Sequence, residues 1–308
     1  MKLEDVFKTS SLPRPETELL LAFLLDKNRE FLLTHPETRI SSKISKKFKA
    51  LEAKRLKNWP IAYLTGVKGF YGFDFKVSPA VLTPRPETEK IVEDIVEIFK
   101  DKNAGPKASD KSASLIDKSL DKSGFLKPII VDLGTGSGAI IISVAKELKR
   151  LAPAVYRRAE FLAVDISEKA LKIAEQNAAD HQLAQKINFY KGNLLSPLKL
   201  NQHDLSRSEL IIAANLPYLT PKQIKNSPGI SREPLLALDG GRDGLKYYRE
   251  LFKQLTGLPV IRNLRIICEI DDCQAEKIKA LTGKYFPSVD SEIIYDLSGK
   301  KRFLKTSA

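Results

Sequence analysis

Apolar residues between Pro15 and Asn58 recur three or four positions apart, first over Leu19–Leu24 and again over Ile44–Leu51. Residues at this spacing share one face of an α-helix, so each run can bury a stripe against a neighbouring helix. The pattern predicts a small helical bundle, which we place in residues 1–67.

A short hairpin and a connecting helix are predicted next, over residues 68–100. Phe70–Val77 alternates aromatic and polar residues around a glycine, which is typical of two short antiparallel strands. Proline and acidic residues in Thr83–Glu89 suit the first turn of a helix, where backbone N–H groups lack partners, and the helical spacing continues to Phe99. We interpret this stretch as the hinge between two domains.

The remainder of the chain alternates short apolar runs with helical patterns. Alternation of this kind indicates a mostly parallel sheet with helices on both faces, so the predicted fold class is α/β and Rossmann-like over residues 129–308. Two last runs flank Ser298–Lys300 and predict a terminal antiparallel hairpin. The predicted strands are Ile129–Leu133, Phe161–Asp165, Ile187–Tyr190, Leu210–Ala214, Leu264–Ile270, Ser291–Tyr295 and Arg302–Lys305.

Residues 101–128 have a different composition. The triplet Asp-Lys-Ser begins at residues 110, 117 and 121, and few apolar residues surround it. Such a segment has little to bury, so the sequence predicts a flexible insertion here, not a further domain.

Charge and composition narrow the class of protein. The 51 Lys and Arg residues exceed the 38 Asp and Glu residues, which leaves a net charge of +13. This excess favours anionic partners, and a weak contact with RNA or the ribosome is one expectation; solvated lysines on a helix face are the alternative. The spacing of the His and Cys residues predicts no metal site and no disulfide scaffold. Acidic residues near Met1 and charges within every apolar run predict a cytoplasmic protein without a membrane span, and we expect a monomer.

A glycine-rich loop, Gly134–Gly138, follows the first predicted strand of the sheet. Glycines there allow the backbone to turn tightly and to approach a ligand at the start of the next helix. Asp165 ends the second strand, where a carboxylate can accept both hydroxyl groups of a ribose; its alternative role is to cap the following helix. The loop also fits a relaxed dinucleotide pattern, so by itself it leaves NAD and S-adenosylmethionine open.

The tetrapeptide Asn215-Leu216-Pro217-Tyr218 comes directly after the fourth strand, at the edge where ligands of such sheets bind. The lone pair of an amide or ring amine is delocalised, so this nitrogen attacks a methyl sulfonium poorly unless its N–H groups are held and its lone pair is aimed. The Asn215 side-chain oxygen and the Leu216 carbonyl can accept two such N–H groups, while Pro217 keeps the Leu216 backbone extended. The tetrapeptide therefore favours S-adenosylmethionine-dependent methylation of nitrogen over hydride transfer, with a polar turn as the plain alternative.

Further motifs extend this assignment. Pro13–Glu18, Pro60–Gly66, Thr83–Glu89, Arg232-Glu233-Pro234, Gly240–Gly244 and Cys268–Ile270 accompany the loop and the tetrapeptide. Together they resemble the protein-(glutamine-N5) methyltransferases that modify peptide chain release factors, over nearly the whole chain outside 101–128. The resemblance implies a class I S-adenosylmethionine-dependent methyltransferase domain, a helical N-terminal domain that helps to hold the release factor, and methyl transfer to the glutamine of the Gly-Gly-Gln loop.

The resemblance also implies roles for individual residues. Asn215, Leu216, Pro217 and Tyr218 would bind the glutamine amide and carry catalysis. Phe70, Arg85 and Pro86 would line the substrate pocket, with core packing as the alternative for Phe70 and an ion pair as the alternative for Arg85. The residues implied at the cofactor are Asp132, Gly134, Thr135, Gly136, Gly138, Asp165, Asn193, Leu194 and Asn215.

Two positions depart from the usual pattern of that family. Leu216 stands where the relatives usually have proline, but any residue supplies the backbone carbonyl, so we expect activity to survive. The resulting Asn-Leu-Pro-Tyr is also similar to ribosomal-RNA adenine dimethyltransferases, which keeps an exocyclic-amine methyltransferase acting on RNA or DNA as the alternative function; the basic charge favours it too. Asn193 stands where many relatives have aspartate, so the adenine is expected to be recognised differently.

Overall fold

The computed structural model describes residues 1–100, 127–200, 205–259, 261 and 263–307. The insertion predicted over 101–128 therefore lies outside the described residues, except for Lys127 and Pro128. These two residues already belong to the first strand of the main sheet, so that strand begins two positions earlier than the sequence predicted.

The predicted N-terminal helical bundle is present. Its helices bury one apolar cluster of their own, which includes Leu20, Leu32 and Phe48. The Ser41 hydroxyl accepts a hydrogen bond from the Ile44 amide and so caps the longest helix, as expected for a serine at this position. The helices are α1 (Leu3–Thr9), α2 (Arg14–Leu25), α3 (Arg29–Thr34), α4 (Ser42–Arg55) and α5 (Ile61–Thr65). Of these, α1 was not predicted, and α5 forms where the sequence predicted a turn over Pro60–Gly66.

The predicted hairpin is present between the N-terminal bundle and the main sheet, formed by β1 (Val67–Phe70) and β2 (Phe73–Lys76). Its two-residue turn has positive φ at both central positions, which matches the right-handed twist of paired strands. The helix α6 (Glu89–Lys100) begins later than expected, because Pro86–Thr88 forms a separate 3₁₀ turn.

The main sheet confirms the predicted fold class. Its strands lie in the order β5-β4-β3-β6-β7-β9-β8, with parallel pairing from β5 to β7 and antiparallel pairing of β9 with both neighbours. The order in which strands are added reverses at β3: β4 and β5 follow on one side of it, and β6 and β7 on the other. This reversal opens a crevice at the carboxyl ends of β3 and its neighbours. The strands are β3 (Lys127–Leu133), β4 (Glu160–Asp165), β5 (Ile187–Lys191), β6 (Ser208–Ala214), β7 (Asn263–Glu269), β8 (Asp290–Tyr295) and β9 (Lys301–Ser307).

Helices cover both faces of this sheet. Side chains of β3 alternate between two apolar clusters: Ile130 joins the cluster that includes the first helix after the glycine loop, whereas Ile129 and Val131 join the cluster on the other face. The helices are α7 (Ala139–Leu151), α8 (Pro153–Arg158), α9 (Glu168–Asp180), α10 (Pro221–Lys225), α11 (Lys246–Thr256) and α12 (Ala275–Tyr285). Among the described residues, no helix combines the length and the apolar character that crossing a membrane requires.

Candidate active site

The glycine loop joins β3 to α7 at the crevice. Gly134, Gly136 and Gly138 have φ of 69°, 56° and 79°, in the left-handed region that favours glycine. A Cβ added to Gly138 would lie 2.9 Å from Cδ1 of Ile142, so this glycine serves the packing of α7. Gly134 and Gly136 line a cavity above the sheet, whereas Gly138 does not.

Asp165 ends β4 and stabilises the glycine loop through a hydrogen bond to its backbone. Its Oδ2 accepts a hydrogen bond from the Gly136 amide at 2.9 Å, and its Oδ1 accepts one from the Ser167 amide at 2.8 Å. Burial raises the pKa of this carboxyl. Ser167 itself caps α9, so the capping role considered for Asp165 is filled by its neighbour.

This first cavity has the chemistry that an adenosine-containing cofactor needs. Ile166, which is half exposed, and Leu194 offer apolar surface beside the Asp165 carboxylate. An apolar slot next to a ribose-binding acid is the arrangement found where open α/β sheets bind nucleotides. The predicted cofactor residues that line it are Gly134, Thr135, Gly136, Asp165, Asn193, Leu194 and Asn215.

Asp132 lies beneath the glycine loop and is fully buried, away from the cavity wall. Its Oδ2 accepts a hydrogen bond from the Thr135 hydroxyl at 2.7 Å, and burial raises its pKa to about 7. The predicted direct contact of Asp132 with the cofactor is therefore corrected to a role below the loop, where it supports Thr135. The sequence motif does not show on which side of β3 the Asp132 side chain lies. It therefore does not distinguish a direct contact with the cofactor from support of the loop.

Asn215 is held by two buried groups behind it. Its Nδ2 donates to the Thr88 hydroxyl and to Oε2 of Glu269, each at 3.0 Å. Within the described part of the chain, neither the Asn215 Oδ1 nor the Leu216 carbonyl receives a hydrogen bond. The two acceptors predicted for an incoming amide are therefore both available at the end of β6.

Tyr218 is also tied to Glu269. Its hydroxyl donates to Oε1 of that carboxylate at 3.0 Å, and burial beside this negative charge raises the pKa of the phenol well above its ordinary value. The Tyr218 carbonyl accepts a hydrogen bond from the Gln274 side chain at 2.7 Å. Both ends of Tyr218 are thus fixed by residues from β7 and the turn after it.

A second cavity adjoins the first and shares Asn215 and Leu216 with it. Tyr218 and Glu269 lie on its wall, and residues of the N-terminal bundle, Arg55 and Ile61, reach its rim. The tetrapeptide therefore stands where the two cavities meet. This is the arrangement required when a methyl donor and a methyl acceptor approach one another from separate pockets.

The remaining predicted pocket residues differ in their surroundings. Phe70 lines the first cavity and is also core, since it is almost fully buried and packs edge-on against Phe75. Arg85 reaches both cavities but pairs with Glu233, with 2.5 Å between Nη2 and Oε2. Pro86 lines neither cavity and instead begins the 3₁₀ turn before α6, so its predicted place on the pocket wall is corrected.

Thr88 and Glu269 are site residues to which sequence analysis gave no role. Glu269 is an acid at the carboxyl end of a buried strand, the same signal that singled out Asp165. Thr88 carried no comparable signal, because nothing local distinguishes it from a first-turn helix residue.

Comparison with known proteins decides the family. Residues 2–66 match the family model described as PrmC N-terminal domain, and residues 128–278 match a methyltransferase domain model. The release factor glutamine methyltransferase of Bacillus cereus is 32% identical over 290 residues, which cover 93% of this chain and 90% of that protein. The release factor glutamine methyltransferase of Coxiella burnetii is 34% identical over 278 residues, which cover 90% of this chain and 86% of that protein.

The chain belongs to the release factor glutamine methyltransferase family. Membership confirms the family predicted from the motifs and the predicted enzyme class, an S-adenosylmethionine-dependent methyltransferase. The departures at Leu216 and Asn193 therefore fall within this family and do not set the chain apart from it.

Solved structures agree with this member of the family in fold. The catalytic domain of hMettl16 in complex with MAT2A 3'UTR hairpin 1 has a TM-score of 0.52 at 12% identity, covering 93% of this chain and 90% of that one. The N-terminal domain of human METTL16 in complex with SAH has a TM-score of 0.50 at 16% identity, covering 94% and 93%. At such low identity the likeness supports the class I methyltransferase fold and carries no information on the substrate.

Proposed function

We propose that this enzyme transfers a methyl group from S-adenosylmethionine to the side-chain amide nitrogen, N5, of the glutamine in the Gly-Gly-Gln loop of peptide chain release factors. The observation that carries the proposal is the pair of available acceptors, Asn215 Oδ1 and the Leu216 carbonyl, at the junction of two cavities. A primary amide offers two N–H donors, which such a pair can hold together. The names of the relatives support release factor glutamine as the source of that amide.

The cofactor site follows from the first cavity. Asp165 would accept the ribose hydroxyl groups, Ile166 and Leu194 would enclose the adenine, and the loop at Gly134 and Gly136 would lie against the rest of the ligand. S-adenosylmethionine supplies an electrophilic methyl group when it is bound. The fit depends on residues present in this chain, with Asn193 able to donate as well as accept a hydrogen bond.

Catalysis by the chain's own residues is mainly positioning. Asn215 and the Leu216 carbonyl hold the two N–H groups, so that the nitrogen lone pair faces the first cavity. Alignment of reacting atoms lowers a barrier by up to roughly 7–11 kcal/mol in the best intramolecular cases. No general base is demanded, because the nitrogen becomes acidic only as it gains the methyl group and can then lose a proton to water.

The domain roles are part of the proposal. Residues 1–67 would dock the release factor, since Arg55 and Ile61 reach the rim of the second cavity. Residues 68–100 would act as the hinge and residues 129–308 as the catalytic domain. A cytoplasmic location, as expected from the sequence, is part of the same proposal.

Transfer of a labelled methyl group tests the proposal directly. Purified release factor, its loop variant with Gln→Ala, and bulk ribosomal RNA are offered in parallel at equal concentration. We expect label on the intact factor and none on the variant. Label on RNA alone would favour exocyclic-amine methylation, for which the net charge of +13 is the supporting observation, and would overturn the proposal.

A further inference from the structure

Glu269 reaches Asn215 because of the strand order. β6 and β7 are parallel neighbours, and Ala214 lies opposite Cys268 in their register. The residues that follow, Asn215 and Glu269, therefore leave the same edge of the sheet side by side. They are 54 positions apart along the chain.

The Glu269 carboxylate collects three hydrogen bonds. Its Oε2 accepts from the Thr88 hydroxyl at 2.5 Å and from Asn215 Nδ2 at 3.0 Å, while its Oε1 accepts from the Tyr218 hydroxyl at 3.0 Å. The side chain is almost fully buried. Burial raises the pKa of the Glu269 carboxyl, whereas the hydrogen bonds from Thr88 and Tyr218 and the nearby charge of Arg302 favour its ionised form. In the ionised form the carboxylate can only accept hydrogen bonds, so each of these neighbours is a donor toward it.

This requirement determines the direction of the Asn215 amide. The Thr88 hydroxyl donates its single hydrogen to Glu269. Toward Asn215, the hydroxyl oxygen can therefore only accept a hydrogen bond. The inner end of the Asn215 side chain thus faces two acceptors and must be the NH₂ group. A reversed amide would place its oxygen against two other oxygens in a buried site, which is costly.

We propose that Glu269 is a positioning residue that, together with Thr88, keeps the Asn215 amide oxygen turned toward the substrate. The proposal rests on the proposed function only in requiring a substrate that donates an N–H group. If the Asn215 amide were reversed, its NH₂ group would face the N–H group of the substrate. Both groups are hydrogen-bond donors, so Asn215 could not hold the nitrogen that receives the methyl group. The carboxylate thereby selects one of two nearly isosteric states of the site.

The first test is Glu269→Gln, which preserves shape but lets residue 269 donate as well as accept. Asn215 can then adopt either direction, so we expect kcat to fall by roughly 10- to 100-fold while the Kd for S-adenosylmethionine and the Tm stay close to wild type. Glu209→Gln is the matched control: it neutralises another buried acid, at the opposite end of neighbouring β6, where Glu209 pairs with Arg265. We expect wild-type kcat for the control. Unchanged kcat in Glu269→Gln would overturn the proposal.

A rescue experiment separates positioning from a general structural role. Asn215→Asp alone places two carboxylates in contact, so this variant should be almost inactive. In the double variant Asn215→Asp/Glu269→Gln, the new glutamine can donate to one oxygen of residue 215 and leave the other for the substrate. We expect the double variant to exceed Asn215→Asp by about tenfold or more in kcat, a non-additive result. Additive losses would contradict the proposal.

A measurement without turnover separates this proposal from the substrate assignment. In ¹⁵N-labelled protein, the side-chain NH₂ signal of Asn215, identified by its loss in Asn215→Asp, should exchange slowly with solvent because both hydrogens are bonded. In Glu269→Gln that protection should be lost. Protection that survives in Glu269→Gln would overturn the positioning role. If protection is lost in Glu269→Gln but the wild-type protein does not methylate release factor, only the proposed function would be overturned.

Discussion

At the scale of single residues, Asn215 is the position on which the proposed chemistry most depends. Asn215→Ala removes an acceptor that orients the substrate nitrogen. Asn215 also lines the first cavity, but Asp165 and the glycine loop, which would hold most of the cofactor there, are unchanged. We expect turnover to fall by about 100-fold or more, while the cofactor Kd changes little. Single-turnover methyl transfer and calorimetric titration of S-adenosylmethionine measure the two effects. Asn188→Ala, an exposed residue on β5, is the control, and wild-type turnover by Asn215→Ala would contradict the mechanism.

Asp132 leads to a prediction about pH and stability. Burial raises its pKa from 3.8 to about 7, so the folded protein holds a proton there that the unfolded chain has already lost. This group therefore favours folding most at low pH, and its contribution declines as pH rises from about 4 to 7. Asp132→Asn stays neutral and should become progressively more stable relative to wild type across that range. Parallel Tm measurements test this, and a pH-independent difference would count against it.

The site residues differ in how far local sequence reveals them. The glycine loop and the tetrapeptide were recognisable because each sits between a strand and the segment that follows it, within a few positions. Thr88 and Glu269 were not, since they meet Asn215 across 127 and 54 positions. Contacts over such distances depend on strand order, which periodicity along the chain does not encode.

At the scale of structural elements, the loop Gly240–Gly244 accounts for a motif whose purpose the sequence left unstated. A Cβ added to Gly240 would lie 2.6 Å from the Pro217 carbonyl oxygen, and one added to Gly244 would lie 2.2 Å from that of Tyr218. Only glycine permits so close an approach, so the loop presses directly on the backbone of the tetrapeptide. The motif is therefore part of the support for the site.

Gly244→Ala is expected to disturb the tetrapeptide through its backbone. The added methyl group would also lie 1.9 Å from the Gln274 nitrogen, and φ of 75° is unfavourable for alanine. We expect a loss of about 1–3 kcal/mol in stability together with a clear drop in kcat. Gly283→Ala, with nothing within 4 Å of the added atom, is the control. Urea unfolding measures the stability of both variants, and methyl-transfer assays measure their kcat. Equal stability and equal kcat in the two variants would contradict this account of the motif.

The elements that sequence analysis missed are mostly short. α8 has six residues and α10 has five, fewer than two helical turns, so neither offers a repeat of apolar positions to detect. The long elements were predictable because their apolar spacing extends over several turns or follows a buried strand. Boundaries shifted by a few residues where proline intervened, as at the start of α6.

At the scale of the whole molecule, the N-terminal bundle and the methyltransferase domain meet around the second cavity. The Arg232 guanidinium lies over the Trp59 ring at 5.6 Å from its centroid, and its Nε donates to the Lys57 carbonyl. Arg232 belongs to the Arg-Glu-Pro motif, whose next residue, Glu233, pairs with Arg85. One short motif therefore contacts both the bundle and the segment leading into α6.

The ion pair between Arg85 and Glu233 connects the segment before α6 with the loop after α10. Glu233 is almost completely buried while Arg85 is 38% exposed. Among the described residues, Arg85→Ala would leave this buried carboxylate with the Thr83 amide as its remaining hydrogen-bond donor, at 3.4 Å. We expect this variant to lose about 1–3 kcal/mol of stability, and Arg85→Ala/Glu233→Gln to recover much of it because no buried charge remains. Urea unfolding of the single and double variants measures both changes.

The same double variant separates the two roles considered for Arg85. If the arginine serves the ion pair, stability and the KM for release factor should recover together once Glu233 is neutralised. If it binds the substrate, stability would recover while KM stays high, since the guanidinium is still missing. The 2.5 Å pairing with a buried partner favours the first outcome, because an arginine already committed to one carboxylate has fewer donors to offer a substrate. A KM that remains raised in a fully stable double variant would place Arg85 in the substrate pocket after all.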